Sequence, residues 1–233
     1  PKFKELYSDY DLPYPESFND DYAGRKAASE NMLEIENHMN RKDLKLTPPE
    51  GLSKKELGKW NRFGNSGEFW TPNDTLQGEE LKKWKYQRYI KDYLRCVVGV
   101  DDAVGKMLEY LKENNLEKNT VVVYTSDQGF YLGEHGWFDK RWMYEPSFRM
   151  PFMVKYPEKI KSGSVNDNLI VNVDFAPTLL DIAGIEVPED IQGVSFKNQL
   201  YGDKYIKRDA IYYHYYEYPF WHKVQPHYGV SNG

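Results

Sequence analysis

The sequence predicts an α/β fold in which a sheet is layered against helices. Apolar residues between Gly78 and Asn115 recur mostly at three- and four-residue steps, the period of an amphipathic helix. Short apolar runs at 120–126 and 151–156 have instead the length of buried strands. Because predicted strands alternate with predicted helices along the chain, a layered α/β architecture follows.

The other predicted elements are short. They are helices near 25–40 and 53–61, a strand at Ile170–Val173, a helix over about 175–184 and a tyrosine-rich strand at Ala210–Tyr216. Gly184 is expected to end its helix, since glycine is favoured just past a helix C-terminus. Residues 1–78 are rich in proline and glycine and largely irregular, which inside a compact domain is typical of a segment that covers a site.

Composition disfavours two classes of protein. The net charge is −5 and no lysine- or arginine-rich stripe appears, so nucleic acid is not an expected partner. No apolar run reaches the roughly 18 residues of a membrane-spanning helix. The single cysteine, Cys96, excludes a disulfide within the chain and is predicted to lie buried and inert in the long helix. The 20 tyrosines suit a core, and they equally suit stacking on sugar faces.

The segment that follows the strand at 120–126 carries the chemistry. Ligands of open α/β sheets bind beyond the carboxyl ends of strands. Here Asp127 supplies a carboxylate and Gln128 an amide oxygen, which are the donor types that Ca²⁺ and Mg²⁺ prefer. Gly129 allows a tight turn beside an ion. From the spacing alone, a helix cap or an ordinary turn explains Asp127 equally well.

This segment resembles the second signature block of the sulfatases, a family of the alkaline-phosphatase-like superfamily. The residues that carry the resemblance are Ser126-Asp127-Gln128-Gly129, Gly133-Glu134-His135-Gly136, Lys140 and Pro151-Phe152-Met153-Val154, with support from the helix that begins at Asp174. The resemblance implies a mixed central sheet flanked by helices, of which this chain holds an incomplete part. Residues 1–207 would be the C-terminal part of the catalytic domain, and residues 208–233 the start of a small C-terminal subdomain.

The resemblance also implies roles for single residues. Asp127 and Gln128 would bind Ca²⁺, or Mg²⁺, and Lys140 would contact the sulfate group. Without the family spacing, Lys140 is an ordinary surface lysine beside Asp139. His135 would act in catalysis, with a structural hydrogen-bonding role as the alternative.

Three further residues are predicted to bind substrate, namely Arg141, His222 and His227. The two histidines lie in an aromatic tail that forms either a sugar-selective wall or a packed strand and loop. The implied function is removal of sulfate from a sulfated sugar or glycan, as in glycan sulfatases such as N-acetylglucosamine-6-sulfatase. The expected partner is therefore a sulfated carbohydrate, and the oligomeric state is not indicated.

The family nucleophile is a formylglycine made from Cys or Ser in a Cys/Ser-x-Pro-x-Arg motif, which these residues lack. Cys96 is followed by Val97-Val98-Gly99-Val100 and does not fit the motif. We therefore expect the chain to be a fragment of a sulfatase, inactive alone, whose formylglycine lies in a missing N-terminal part. The expected location is an exported compartment: periplasmic, secreted or lysosome-like.

Two other functions remain open at this point. One is a phosphodiesterase or phosphonate hydrolase of the same superfamily, which Gln128 disfavours because transition-metal sites of that kind favour imidazole ligands. The other is an inactive glycan-binding protein that keeps the aromatic wall.

Overall fold

The computed structural model describes residues 2–60 and 75–233, which form two compact units. The first unit comprises Pro1–Met107, Phe130–Ser147 and Glu217–Gln225, and the second comprises Leu108–Gly129, Phe148–Tyr216 and Pro226–Gly233. The segments of the two units thus alternate along the sequence. The domain boundary expected between residues 207 and 208 stays a prediction.

The described residues contain both helices and short strands. The helices are α1 Lys26–Ser29, α2 Lys54–Trp60, α3 Gly78–Glu113, α4 Glu145–Phe148, α5 Phe175–Ile182 and α6 Lys197–Tyr201, and the strands are β1 Val122–Thr125, β2 Phe152–Lys155, β3 Ile211–Tyr215 and β4 His227–Ser231. The predicted elements at 53–61, 120–126, 151–156, 175–184 and 210–216 are confirmed to within a few residues, with residue 61 outside the described residues. None of the described helices is long and apolar enough to cross a membrane.

The long helix predicted from the apolar period is α3. Two acidic residues, Glu79 and Glu80, occupy its first turn, where they complement the positive end of the helix dipole. Asn115 adopts a left-handed backbone with a φ of 56° just beyond the last turn. That conformation ends helices, and it explains why α3 stops where the sequence predicts.

The core of the first unit packs around the N-terminal half of α3. Tyr86 and Ile90 of α3 are buried in a cluster with Phe18, Ile35, Met39, Leu44, Leu46 and Phe138. The C-terminal half of α3 is different, because Val97 and Val100 on the same helix are 40% and 47% exposed. Cys96 lies in this half and is exposed, so the prediction that it is buried is wrong.

Two antiparallel strand pairs lie in the second unit. β1 pairs with β2, so Thr125 at the end of β1 lies opposite Phe152 at the start of β2. The turn that follows β1 therefore extends past the end of the sheet. β3 pairs with β4 from Ile211 opposite Ser231 to Tyr215 opposite His227. The sequence pattern does not predict β4.

The predicted strand at Ile170–Val173 is wrong, because Asp174 draws this segment into a turn. Asp174 is buried, and its carboxylate accepts hydrogen bonds from the backbone N–H of Val171 (2.9 Å) and of Val194 (2.9 Å). It also forms an ion pair with Arg208. Such side-chain bonds to the backbone compete with strand pairing, and Asn172–Asp174 forms a 3₁₀ turn instead.

The predicted helix near 25–40 is also wrong over most of its length. Only α1 forms, and Asn31 follows it closely with a buried side chain. Its amide donates to the carbonyl of Ala28 and its oxygen accepts from the N–H of Leu33 at 2.8 Å. Asparagine side chains offer the backbone this alternative to helical bonding. The chain then extends, and Glu34 forms an isolated β-bridge with Trp137.

Candidate functional site

The turn after β1 presents two oxygen donors. The Ser126 hydroxyl donates to the backbone carbonyl of Gln128 at 2.9 Å, which shapes the turn, and lies 3.3 Å from Oδ1 of Asp127. Asp127 is exposed. Within the described ranges, the side-chain amide of Gln128 makes no hydrogen bond. Both donors are thus available to a ligand, and their role as metal ligands stays a prediction.

These two residues are not a complete metal site. Ca²⁺ takes about six to eight oxygen ligands, and Asp127 and Gln128 supply two. No group of three or more His, Cys, Asp or Glu side chains that could hold a metal ion occurs within residues 2–60 and 75–233. The donor chemistry fits a hard cation, and the remaining ligands would come from elsewhere.

A tight loop in the first unit carries the Gly-Glu-His-Gly motif. The backbone N–H of Tyr131 donates to the carbonyl of Asp139 at 2.8 Å, and that of Gly133 donates to the carbonyl of Trp137 at 3.1 Å. Residues 131–139 therefore form a closed loop, which we call the motif loop. Lys140 follows directly after its last hydrogen bond.

Both glycines of the motif are required by close packing. At Gly133 (φ 106°), a Cβ atom would lie 2.6 Å from a ring carbon of Tyr86. At Gly136 (φ 69°), a Cβ atom would lie 2.9 Å from the carbonyl oxygen of Phe18. A positive φ also disfavours any residue with a side chain. The motif is thus explained by the contact of this loop with α3 and with the segment around Phe18.

His135, at the tip of the motif loop, is held from three sides. Its ring Nδ1 lies 2.6 Å from Oδ2 of Asp20, its backbone N–H donates to Ser17 Oγ at 3.0 Å, and its carbonyl accepts from the Tyr22 hydroxyl at 2.6 Å. Arg25 forms an ion pair with the same Asp20 carboxylate. The Arg25 guanidinium, opposed by burial and aided by His135, holds the pKa of Asp20 well below its usual range.

Lys140 carries an ammonium group available to an anion. Its carbonyl oxygen accepts a hydrogen bond from the Ser147 hydroxyl at 2.6 Å, which fixes the backbone. Its Nζ atom has no hydrogen bond or ion pair with any residue that the structure describes. The lysine is half-buried rather than fully solvated. Its placement suits the predicted contact with sulfate.

Asp139 organises the groups around Lys140. Its carboxylate accepts from the backbone N–H of Lys140 at 2.6 Å and from Nε2 of His222 at 3.0 Å, and it forms an ion pair with Arg141, whose Nε lies 3.1 Å away. Its φ of 73° places the backbone in the left-handed region. Arg141 also forms an ion pair with Glu217. The structure thus brings Lys140, Arg141 and His222 together around Asp139.

The charges of this cluster support one another. His222 Nδ1 lies 3.2 Å from the carbonyl of Met32, so both of its ring nitrogens face acceptors and the doubly protonated ring satisfies both. The hydrogen bond to Asp139 raises the pKa of His222 despite partial burial. Burial opposes the charged form of Asp139, but the bonds from His222 and the charge of Arg141 outweigh it and lower its pKa.

His227 belongs to the second unit. It is on β4, where its ring stacks on Tyr215 at 5.3 Å between centroids and contacts Tyr213 at 5.6 Å. Its predicted contact with substrate stays a prediction, and packing within the β3–β4 pair is the alternative that these contacts favour.

Comparison with known proteins identifies the family. A family model described as N-sulphoglucosamine sulphohydrolase, C-terminal, matches residues 133–233. An N-acetylglucosamine-6-O-sulfatase of Bacteroides thetaiotaomicron is 44% identical over an aligned length of 250 residues, and the alignment covers 99% of this chain. The chain belongs to the sulfatase family. It spans 45% of the length of that relative.

Solved structures support the same assignment for this sulfatase chain. One, a protein in complex with its substrate D-glucosamine-2-N,6-O-disulfate, is 41% identical with a TM-score of 0.83, covering 100% of this chain and 51% of the other. A phosphonate monoester hydrolase from Silicibacter pomeroyi has a TM-score of 0.56 and 23% identity over 86% of this chain and 37% of the other, a likeness of fold alone. The predicted incomplete α/β fold of the sulfatase superfamily is confirmed. A relative named as an extracellular sulfatase, from Drosophila melanogaster, is 38% identical over 103 residues, 44% of this chain and 9% of the other.

Three acidic residues of this sulfatase chain were missed by the sequence analysis. Asp139 stands directly before Lys140, but nothing in the sequence indicates its left-handed backbone or its contact with His222. Glu217 and Asp20 lie 76 and 115 residues from their partners Arg141 and His135. Asp139 could have been suspected because it adjoins the motif residue Lys140. No comparable pattern in the sequence indicates Glu217 or Asp20.

Proposed function

We propose that this chain supplies the metal-binding and sulfate-binding residues of an enzyme that hydrolyses a sulfate ester of a glucosamine-type sugar or glycan. The observation that carries the proposal is the ammonium group of Lys140, which has no partner among the described residues and belongs to a residue whose backbone is fixed at the end of the motif loop. The 44% identity to an N-acetylglucosamine-6-O-sulfatase supports the substrate class.

Lys140 would bind and stabilise the sulfate group. A lysine ammonium is a compact charge with three donors, which suits the oxygens of a sulfate ester. Charge on these oxygens rises as the S–O bond breaks, and a fixed cation lowers the energy of that state without reorganising. The half-buried position of Lys140 strengthens the effect, because water screens the charge less.

Asp127 and Gln128 would hold part of a Ca²⁺ site. Their side chains are adjacent, supply oxygen donors and are not engaged by other described side chains apart from the contact of Asp127 with Ser126. Ca²⁺, when bound, polarises the sulfate oxygens and offsets their charge. Mg²⁺ is the alternative ion, and the remaining ligands would be further oxygen donors or water.

The charged groups around Asp139 would bind the hydroxyl groups of the sugar. Arg141 and His222 present charged donors, and Glu217 presents a carboxylate, within one hydrogen-bonded group. Half-buried polar groups of this kind bind sugar hydroxyls selectively, because a substrate lacking the matching hydroxyl leaves them unpaired. We infer that this cluster, next to Lys140, sets the selectivity for the sugar.

The nucleophile would be a formylglycine in a part of the protein outside these 233 residues. The free thiol in this chain, Cys96, lies on α3 and is not followed by the family motif. An exported location agrees with the extracellular relative, and it stays a prediction for this protein. His135 is better suited to holding the loop than to direct catalysis, since its Nδ1, N–H and carbonyl are all engaged.

The test uses the full-length protein. Wild type is expected to release inorganic sulfate from glucosamine 6-sulfate, measured by ion chromatography. Lys140→Met should lower kcat/KM by about 100-fold or more, the usual cost of removing one group that stabilises transition-state charge. Lys159→Met, at an exposed lysine, is the matched control. If both variants retain wild-type rates, the sulfate-binding role of Lys140 is wrong. If wild type binds sulfated glycans without releasing sulfate, the protein is a glycan-binding module instead.

A further inference from the structure

Asp20 is the most enclosed carboxylate near the motif loop. Its side chain is 11% exposed, and that of His135 is 21% exposed. The carboxylate bonds on both oxygens: Oδ1 to Arg25 and to the backbone N–H of Tyr22 (3.0 Å), and Oδ2 to His135 Nδ1 (2.6 Å). A charged group this enclosed and this fully bonded holds a fixed position.

The segment around Asp20 grips the tip of the motif loop at several points. The His135 N–H donates to Ser17 Oγ and the His135 carbonyl accepts from the Tyr22 hydroxyl. The ring of Tyr22 also stacks on Trp137 at 5.5 Å with an interplanar angle of 17°. His135 itself has a φ of 57°, which a residue with a side chain adopts only when its surroundings enforce it. We call residues 17–25 the bracket.

The tip of the motif loop is coupled to its base. The two hydrogen bonds across the loop, from Gly133 to Trp137 and from Tyr131 to Asp139, run from the tip toward Lys140. Tyr131 is fully buried and donates its hydroxyl to the carbonyl of Trp142 at 3.0 Å. A displacement of His135 would therefore also shift Asp139, the residue before Lys140, because these hydrogen bonds connect the two ends of the loop.

We propose that Asp20 is a positioning residue that acts through His135, fixing the motif loop and so the ammonium group of Lys140. The proposal rests on the sulfate-binding role proposed above for Lys140. It adds that the bracket, more than 100 residues away in sequence, contributes to turnover without touching the substrate. A displacement of about 1 Å in a catalytic group is enough to lower a rate by roughly 100-fold.

The experiment uses the full-length protein and four variants. Asp20→Asn removes the charge from the bond to His135, and Tyr22→Phe removes one hydrogen bond while keeping the stack on Trp137. His135→Asn keeps a donor close to the position of Nδ1 and tolerates the left-handed backbone. Asp21→Asn is the matched control, since Asp21 is an exposed neighbour whose one hydrogen bond within residues 2–60 and 75–233 comes from the backbone N–H of Ala23. Each variant is assayed for kcat and KM with glucosamine 6-sulfate and for local amide hydrogen exchange.

For Asp20→Asn we expect kcat to fall by about 10- to 100-fold with KM changed less than about threefold, since positioning acts mainly on the transition state. Tyr22→Phe should show a smaller fall, and His135→Asn should keep most of the activity. Amide exchange should rise at residues 131–139 and not across the protein. An unchanged kcat with faster loop exchange would overturn the positioning role while leaving the proposed function intact.

Other outcomes also decide the proposal. A loss of activity in His135→Asn larger than in Asp20→Asn would make His135 a catalytic group and overturn positioning as its role. Exchange that rises everywhere in Asp20→Asn would show a general loss of stability, and Tyr22→Phe would then have to reproduce the kcat effect with local exchange alone. If wild type releases no sulfate, the proposed function fails and positioning for this reaction fails with it, whereas the exchange data still show whether the bracket holds the loop.

Discussion

The ion pair between Asp139 and His222 can be tested directly by mutation and denaturation. Asp139→Asn is the appropriate change, because asparagine tolerates the left-handed backbone that a φ of 73° imposes, whereas alanine would add strain. The amide keeps an acceptor oxygen for one partner. The variant therefore loses charge and about one charge-assisted hydrogen bond.

The size of the effect follows from burial. The side chains of Asp139 and His222 are 18% and 20% exposed, so water screens the pair only partly. Hydrogen bonds to charged groups contribute about 1.5–3 kcal/mol. We expect Asp139→Asn to lower the free energy of unfolding by about 2–3 kcal/mol and to couple to His222→Phe by about 1–2 kcal/mol in a double-mutant cycle.

The pH dependence of this effect has a definite sign. The lowered pKa of Asp139 gives a contribution that is complete above the ordinary value of 3.8 and is lost as pH falls through the lower folded value. The raised pKa of His222 gives a contribution that is complete below 6.5 and is lost as pH rises through the higher folded value. The two overlap between these ordinary values, so the coupling should be largest near the middle of that window and smaller in alkali.

The assay is urea denaturation of the wild-type chain, the two single variants and the double variant, near pH 5 and again near pH 9. A coupling energy below about 0.5 kcal/mol at the lower pH would refute the ion pair, since contacting residues usually exceed that value. A coupling that is equal at both pH values would refute the protonation of His222 as its cause.

Two further predictions concern selectivity and packing. His222→Ala is expected to raise KM for a sulfated sugar more than for a small aryl sulfate, because only the sugar offers hydroxyls to this cluster; equal effects on both substrates in steady-state kinetics would contradict a sugar-binding role, and the same comparison applies to His227→Ala. Gly136→Ala should destabilise the fold by about 2–4 kcal/mol, since the new Cβ would meet the carbonyl of Phe18 at 2.9 Å in addition to a strained backbone. Gly163→Ala is the matched control, because its φ of 73° imposes similar strain with nothing within 4 Å of the new Cβ. Equal midpoints of thermal unfolding for the two glycine variants would remove the close contact as the reason for the motif.

Local sequence patterns predicted the elements whose formation depends mainly on the burial of apolar side chains. The apolar residues of α3 recur mostly at three- and four-residue steps, so the existence of this helix and its end near Asn115 can be predicted directly from the sequence. The β1–β2 pair follows from two apolar runs that each have the length of a strand.

Prediction failed where a single polar side chain redirects the backbone. Asp174 converts a run of apolar residues into a turn by accepting two backbone hydrogen bonds. Asn31 ends α1 by donating to the carbonyl of Ala28 and accepting from the N–H of Leu33. The burial of Cys96 failed for another reason: helical periodicity marks an apolar face but not how much of that face is covered.

Only residues in or near the family motifs and in the aromatic tail were named as site residues from the sequence. Lys140, Arg141 and His222 are brought together, but the carboxylate that organises them, Asp139, was missed. Asp20 was missed because its partner lies 115 residues away and the contact depends on tertiary packing. The sequence thus indicated the groups proposed to bind the substrate better than the groups that hold them in place.

The most direct test of the central claim is sulfate release by the full-length protein before and after removal of divalent metal. Wild type is expected to hydrolyse glucosamine 6-sulfate, to lose this activity with a chelator and to regain it with Ca²⁺. Asp127→Ala should lower activity to background and bind Ca²⁺ more weakly by calorimetry, with Lys140 intact. Wild-type turnover that persists in Asp127→Ala, or that is insensitive to chelator, would contradict the assignment of Asp127 and Gln128 as metal ligands of a sulfatase.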